Sequence, residues 1–284
     1  MSAWLTPAPT YWLQAVEAAL AEDVGHGDVT SACLPPDLEV SWMIEAQAEG
    51  VACGIGIAEH LLAPAVDDPE DCFLRVHLRD GDAVGPGTVL LEGRTFAQKA
   101  LVAERTALNF LMHLSGVATL TARFVQAVEG TGARVVDTRK TAPGLRALQK
   151  YAVRCGGGAN HRMGLFDGVM LKDNHLRALG GVVPAIREAR KVVSHLLKVE
   201  VECESLGQAV EAVRAGADVI LLDNMSVPQL REAVQALKGQ AILEASGGVN
   251  LDTVRAIAET GVDLISVGSI THSAPALSLH MEIT

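Results

Sequence analysis

The sequence is poor in aromatic residues. Phe, Trp and Tyr make up 4% of 284 residues, while 49% are hydrophobic and Ala, Val, Leu and Gly dominate. That supply suits helices packed on buried parallel strands better than a Tyr- and Trp-rich binding surface. Basic residues are absent from the first quarter: no Lys or Arg precedes Arg75, and the net charge is −11. An acidic chain without a broad basic face is a poor general binder of nucleic acid or anionic lipid. The five cysteines, at 33, 53, 72, 155 and 203, form no C-x-x-C pair and no zinc-spaced cluster with His. Their odd number and scatter read as reduced, cytoplasmic thiols. No run reaches the ~20 predominantly apolar residues of a membrane span. The longest uncharged stretch of interest, Thr106 to Ala122, carries Asn109, His113, Ser115, Gly116, Thr119 and Thr121 and reads as a buried helix. Met1 to Pro7 has neither the basic start nor the apolar core of a signal peptide.

What basic charge there is gathers in one place. Arg134 to Arg177 holds nine Lys or Arg against three Asp, a local net of +6. A basic island in an acidic chain fits a site for a small polyanion, and equally a solvated charged face.

Length alone allows about two domains. Residues 1 to 95 mix a short helix, Tyr11 to Glu22, with strand-like runs at Val40–Ala46, Phe73–Leu78 and Thr88–Glu92. The turn Gly81 to Leu90 resembles that of biotinyl carrier domains, but no Lys precedes Lys99 to carry a cofactor. From Phe96 to Val128 the apolar spacing is helical, and Ser115-Gly116 predicts a break into two helices. Beyond that, apolar runs at 134–136, 168–171, 197–201, 218–222, 241–243 and 264–267 alternate with amphipathic segments, the later ones at 206–215, 227–237 and 251–260. Repeated βα units with continuous apolar strands predict a parallel sheet covered by helices, closed or nearly closed into a barrel. A doubly wound sheet ranks second, since its G-x-G-x-x-G turn is missing.

Each run ends in chemistry. The first leads to Asp137-Thr138-Arg139-Lys140 and the second to Lys172-Asp173-Asn174-His175. The third carries Glu200 and Glu202, and the fourth ends in Asp223-Asn224. The fifth leads to Glu244-Ala245-Ser246-Gly247-Gly248 and the sixth to Gly268-Ser269. The C-terminal ends of parallel barrel strands are where such enzymes keep their sites. Arg139, Lys140, Arg162 and Lys172 suit anions, Arg as a planar fork and Lys as a point charge. Glu200 and Glu202 share one face of their strand and point inward, where Lys140, Lys172 or a metal would pair them. Asp223 would join them around a hydrated Mg²⁺ or a sugar diol. The glycine turns Ser246-Gly247-Gly248 and Val267-Gly268-Ser269, on the last two strands, predict a phosphate site. Gly156-Gly157-Gly158 lacks the Lys-Ser/Thr of a P-loop and reads as a flexible approach to His161 and Arg162.

These motifs resemble the quinolinate phosphoribosyltransferase (nicotinate-nucleotide pyrophosphorylase) family. The resemblance rests on the run from Asp137 to Arg146, on Lys150-Tyr151-Ala152-Val153, and on Gly156 to Arg162. It extends through Lys172 to His175, Leu222 to Met225, Glu244 to Gly248, Val267 to Ser273, Ala103 to Asn109 and the early Glu22 to Thr30 loop. It implies an incomplete parallel α/β barrel at 113–274 and an N-terminal α/β sandwich domain at 1–112 joined by the tail 275–284. The implied reaction joins quinolinate and phosphoribosyl pyrophosphate to give nicotinate mononucleotide, pyrophosphate and CO2. Mg²⁺ dependence and a homodimer, alone or within a larger assembly, come with it; a nucleic-acid or membrane partner does not. Arg139, His161, Arg162 and Lys172 would hold the quinolinate carboxylates, and Lys140, with Thr138 beside it, would meet pyrophosphate. Glu202 and Asp223 would take the ribose hydroxyls near Mg²⁺. Ser246, Gly247, Gly248, Val267, Gly268, Ser269 and His272 would serve the 5-phosphate. Lys140, Lys172, Glu202 and Asp223 are the implied catalytic set. Arg105, flanked by Leu101, Val102, Leu108 and Leu111, would act in the neighbouring subunit's site. Two other readings stay open: a same-fold paralog linked to molybdate transport with another acceptor base, and a Schiff-base aldolase using Lys172.

Overall fold

The computed structural model describes residues 8–65 and 68–284, so the Met1–Pro7 segment read for a targeting signal lies outside the described residues. In chain order the elements are α1 (Leu13–Val24), β1 (Glu39–Ala46), β2 (Gly50–Val51), α2 (Ile55–Leu62), β3 (Phe73–Val76), β4 (Ala83–Val84) and β5 (Val89–Phe96). There follow α3 (Ala97–Ala127), β6 (Arg134–Val136), α4 (Arg146–Cys155), β7 (Val169–Leu171), α5 (Asp173–Ala178), α6 (Val182–Val192), β8 (Val199–Cys203) and α7 (Leu206–Arg214). The chain closes with β9 (Val219–Asp223), α8 (Val227–Leu237), β10 (Ile242–Ser246), α9 (Val254–Ala258), β11 (Leu264–Ser266), α10 (Ser269–His272) and β12 (Leu279–Ile283). The chain divides into two compact units. One runs to Ala122 and takes in Thr141–Gly157 and Ser273–Thr284; the other comprises Arg123–Lys140 and Gly158–His272. Residues 141–157, with α4, form part of the first unit although they fall inside the 113–274 span.

The first unit is built on an antiparallel sheet of order β12-β1-β5-β3. Strand β1 alternates as a half-buried strand must: Trp42, Ile44 and Ala46 point into the core, and Met43 and Glu45 are only partly covered. Gly93 faces Trp42 across the β1–β5 pair, and a Cβ there would lie 2.6 Å from the indole Cζ2. A glycine inside a strand is the opening that seats the ring. The same core takes in Leu90, Leu91, Leu108, Leu111, Leu277, Leu279 and Met281.

The expected break at Ser115-Gly116 does not occur, because α3 continues through it for 31 residues. The Ser115 hydroxyl accepts the Cys53 N–H at 2.9 Å and donates to the Cys53 carbonyl at 3.2 Å, and Thr119 Oγ1 accepts the Val51 N–H at 2.9 Å. A Cβ on Gly116 would collide with the Pro275 carbonyl oxygen. The pair is polar and small because backbone from distant segments lies against the helix, which satisfies groups that burial would otherwise leave unpaired. Gly156 is not a flexible approach either: its Cα side abuts the backbone of α3 at Ala118, leaving no room for a side chain.

The second unit holds a six-stranded parallel sheet of order β6-β11-β10-β9-β8-β7. The run from β7 to β11 is sequential, and β6 pairs with β11, so the curved sheet ends at β6 on one side and β7 on the other. No ladder joins β6 to β7, which makes the barrel incomplete. Val199, Val201 and Cys203 are fully buried on one face of β8, with Glu200 and Glu202 on the other. The fifth strand runs further than its apolar stretch indicates: Glu244, Ala245 and Ser246 lie inside β10 and not in the following turn.

Replacing Gly116 with Ala gains up to about 1 kcal/mol of helix propensity. It meets a backbone atom that cannot rotate away, so a net loss of about 1–3 kcal/mol is expected. Urea unfolding with an unchanged slope measures it.

Candidate active site

The C-terminal ends of the six strands surround a cavity of about 730 Å³. Thr138, Arg139 and Lys140 reach it from the end of β6, Lys172 from β7, Glu202 from β8, Asp223 and Asn224 from β9, Ser246, Gly247 and Gly248 from β10, and Gly268, Ser269 and His272 from beyond β11. His161 and Arg162 line it from the segment that follows Gly158. Two residues named from the sequence, Val267 and Arg105, do not line this cavity, Arg105 being the one expected to serve a neighbouring subunit's site. The Val267 side chain is buried, with its N–H donated to the Val136 carbonyl at 2.9 Å. Arg105 lies on α3 in the first unit, exposed, with Glu104 4.0 Å away.

One buried carboxylate positions the segment between β6 and β7. Asp137, fully buried, accepts the His161 N–H at 2.9 Å and the Asn160 side-chain amide at 2.6 Å. Ala159 bridges to Val136 in parallel register, donating to the Val135 carbonyl and accepting from the Asp137 N–H. The chain therefore continues the free edge of β6 and then turns His161 and Arg162 into the cavity. Sequence reasoning gave Asp137 no role, because its partners lie more than twenty residues ahead.

The Arg162 guanidinium donates to the Gly168 carbonyl at 3.0 Å and rests on the Met170 sulfur at 3.7 Å. Burial, and next the charge of Arg139, lower its pKa. Arg139 Nε is buried with no hydrogen-bond partner among the described residues. Two neighbouring, partly desolvated guanidiniums call for an anion between them. Lys172 Nζ pairs with Glu202 Oε2 at 2.5 Å, and its N–H donates to His175 Nδ1 at 3.1 Å, which fixes the turn into α5. Lys140 is set by its N–H to Thr138 Oγ1 at 3.0 Å and by its carbonyl, which accepts from Thr271 Oγ1 at 2.7 Å.

His161 is committed on both ring nitrogens. The Arg162 N–H donates to Nδ1 at 2.8 Å, so the ring proton sits on Nε2, 2.9 Å from Glu200 Oε2 and 3.8 Å from Glu244 Oε1. Burial, and then Glu200, push Glu244 up to about 7. Glu244 was quoted from the sequence as a strand-end residue, but a charged residue just ahead of Ser-Gly-Gly looks like loop polarity. Its place on the inner face of β10 shows only in the fold.

The glycine turns are shaped by their neighbours. Gly247 has φ +98°, and any Cβ would collide with the Asn224 side-chain oxygen. Asn224 is itself left-handed at φ +53° and donates from Nδ2 to Asp223 at 2.7 Å. At Gly268 a Cβ would approach Lys140 Cδ to 3.1 Å and His272 to 3.3 Å, so its bareness lets those two side chains converge.

Comparison with known proteins decides the family. Residues 28–115 match the quinolinate phosphoribosyl transferase N-terminal domain, and residues 117–282 match its C-terminal domain. This chain is a member of the quinolinate phosphoribosyltransferase family. It is 40% identical to the probable nicotinate-nucleotide pyrophosphorylase [carboxylating] of Bacillus subtilis, over 93% of this chain and 90% of that one. It is 41% identical to the chloroplastic nicotinate-nucleotide pyrophosphorylase of Arabidopsis thaliana, over 97% and 84%. Among solved structures, NadC from Streptococcus pyogenes superposes with a TM-score of 0.92 at 39% identity, covering 98% of each chain. The nicotinate-nucleotide pyrophosphorylase of Francisella tularensis gives 0.90 at 35%, again over 98% of each. The family fold is that of the two units described above.

Removing the anchor under His161 tests this geometry. Asp137→Ala should cost about 1–3 kcal/mol, the usual loss when buried donors lose their acceptor. It should also speed hydrogen exchange at Asn160 to Arg162 while leaving β12 protected.

Proposed function

We propose that the chain transfers the phosphoribosyl group of phosphoribosyl pyrophosphate to quinolinate, giving nicotinate mononucleotide, pyrophosphate and CO2 for NAD biosynthesis, and that the barrel domain 113–274 carries the chemistry. The observation that supports the site assignment is the order of groups around the mouth. Passing along the sheet from β6, one meets Arg139 and Lys140, then the glycine turns after β11 and β10, then Asp223 on β9, Glu202 on β8 and Lys172 on β7. Arg162 fills the opening between the two edge strands. That order matches an anionic ring, a pyrophosphate, a sugar phosphate and sugar hydroxyls laid side by side.

In this reading Arg139, Arg162 and Lys172 grip the two quinolinate carboxylates and aim the ring nitrogen at the anomeric carbon. Lys140 meets the departing pyrophosphate. Backbone N–H groups at Ser246 to Gly248 and at Gly268 and Ser269, with His272 beside them, take the 5-phosphate. Val267, buried and bonded to Val136, contributes through the fold alone. Glu202 and Asp223 accept the ribose hydroxyls and stabilise the positive charge that grows on the sugar as the pyrophosphate bond stretches. His161, with both nitrogens engaged, positions Arg162 and Glu200 in place of touching a carboxylate. The nitrogen that attacks becomes a pyridinium, which draws in the electron pair released as the adjacent carboxylate leaves.

The donor set fits a Mg²⁺ ion: Glu202 and Asp223 are hard oxygen ligands on neighbouring strands at the cavity rim. Bound there with the substrate, the ion would offset negative charge on the leaving pyrophosphate. An aldolase reading of Lys172 is disfavoured, because its ammonium is paired with Glu202, whereas Schiff-base chemistry needs a neutral amine.

Product analysis with Mg²⁺ tests the reaction. Quinolinate should yield nicotinate mononucleotide and CO2, while nicotinate turns over negligibly because one carboxylate leaves a partly desolvated cation unpaired, at about 1–3 kcal/mol or more. Equal turnover of nicotinate would sink the assignment.

Arg105 completes the proposal as a residue acting across a homodimer, cytoplasmic in its setting. Mixing inactive Arg105→Ala with inactive Lys140→Ala chains should restore one intact site in each mixed dimer. Confirmed subunit exchange without recovered activity would place Arg105 in its own chain's site or outside the chemistry.

A further inference from the structure

The reaction proposed above needs a proton on the ring carbon that loses CO2. When CO2 departs, its bonding pair stays on the ring carbon beside the pyridinium nitrogen, and that carbon must be protonated. Of the cavity's proton carriers, Arg139 and Arg162 do not release protons. Lys172 is tied to Glu202, Lys140 lies against Gly268 on the phosphate side, and His272 is exposed at the mouth.

Glu244 differs from all of these. It lines the cavity from the inner face of β10, two residues below Ser246, with 1% of its surface exposed. Its Oε1 has no hydrogen-bond partner among the described residues. The groups that face it are Glu200 from β8, His161 from the segment after Gly158, Ser266 from β11 and Asp137 from the end of β6. The ligand atoms of His161, Glu200 and Glu244 lie within 4.8 Å of one another, yet the arrangement does not suit a metal. The lone pair a metal would need on His161 Nε2 is replaced by a proton, because Nδ1 already accepts the Arg162 N–H. That same proton points at Glu200 Oε2 at 2.9 Å. Burial, and next the neighbouring Glu200, favour the protonated form of Glu244.

We propose that Glu244 is the carboxylic acid that protonates the ring carbon vacated by CO2. This rests on the phosphoribosyl-transfer reading. The nitrogen–sugar bond forms as the sugar–pyrophosphate bond breaks, and the carbon–carboxylate bond then breaks to release CO2. The Glu244 O–H bond breaks as the new C–H bond forms, and the Glu244 carboxylate regains its proton from water.

The test follows pyrophosphate and CO2 separately in a single turnover. In Glu244→Gln, pyrophosphate release should stay within about threefold of the native rate. CO2 release should fall by at least about tenfold, with the dicarboxylated mononucleotide accumulating in the mass spectrum. Glu244→Asp should recover part of the loss. For native protein, the CO2-forming step should fade as pH rises through about 7, where the acid form is lost, with pyrophosphate release unaffected over the same range. This second measurement holds even if the Gln variant misfolds. Native CO2 release in a folded Glu244→Gln chain, parallel loss of both products in it, or a flat pH profile in native protein would overturn the role. If native protein released no pyrophosphate from quinolinate and phosphoribosyl pyrophosphate, the reaction itself would be wrong, and that outcome is distinct from the others.

Discussion

The site depends on the carboxylate of Asp137 being buried and fully used. A six-stranded parallel sheet that does not close leaves two free edges, and backbone groups at such an edge need partners. Here Ala159 supplies them to β6, and the Asp137 carboxylate takes the donors of Asn160 and His161 that follow. That anchor acts together with the His161–Glu200 contact and the Arg162 bond to the Gly168 carbonyl. Asp137 is also one of three buried carboxyl groups, with Glu200 and Glu244, in the unit whose cavity is lined by Arg139, Lys140, Arg162 and Lys172.

Much of this was legible in the sequence because parallel barrel strands repeat one rule. Apolar residues fill the strand, and the chemistry sits at its C-terminal end. Lys140, Lys172, Glu202 and Asp223 stand out for that reason, and period-two alternation correctly puts Glu200 and Glu202 on one face. The rule fails where a residue's partner is remote. Ser115-Gly116 looks like a break because local propensity is all the sequence offers, whereas Pro275 and Cys53 supply the reason for a small polar pair. Gly156 was misread in the same way, since Ala118 lies far from it in the chain. The apolar run at 241–243 ends short of Glu244, whereas the ladder with β9 continues through Ser246.

His161 shows how much of a residue's setting only the fold supplies. Its presence in the cavity was expected from the motif around Gly158. The hydrogen bonds at its two nitrogens, from one backbone N–H and toward one carboxylate, determine its tautomer.

The pairing of β12 with β1 has a kinetic consequence. Trp42 and Ile283 are partners in one ladder, yet nearly the whole described chain lies between them. The chain passes from the first unit to the second and back twice before that strand arrives. Contacts of such high sequence separation form late and slow the search for the native state. Until they form, β1 presents an unpaired, largely apolar edge, the feature that draws partly folded chains into wrong associations. Refolding yield should therefore be governed by how long that single edge waits for its partner.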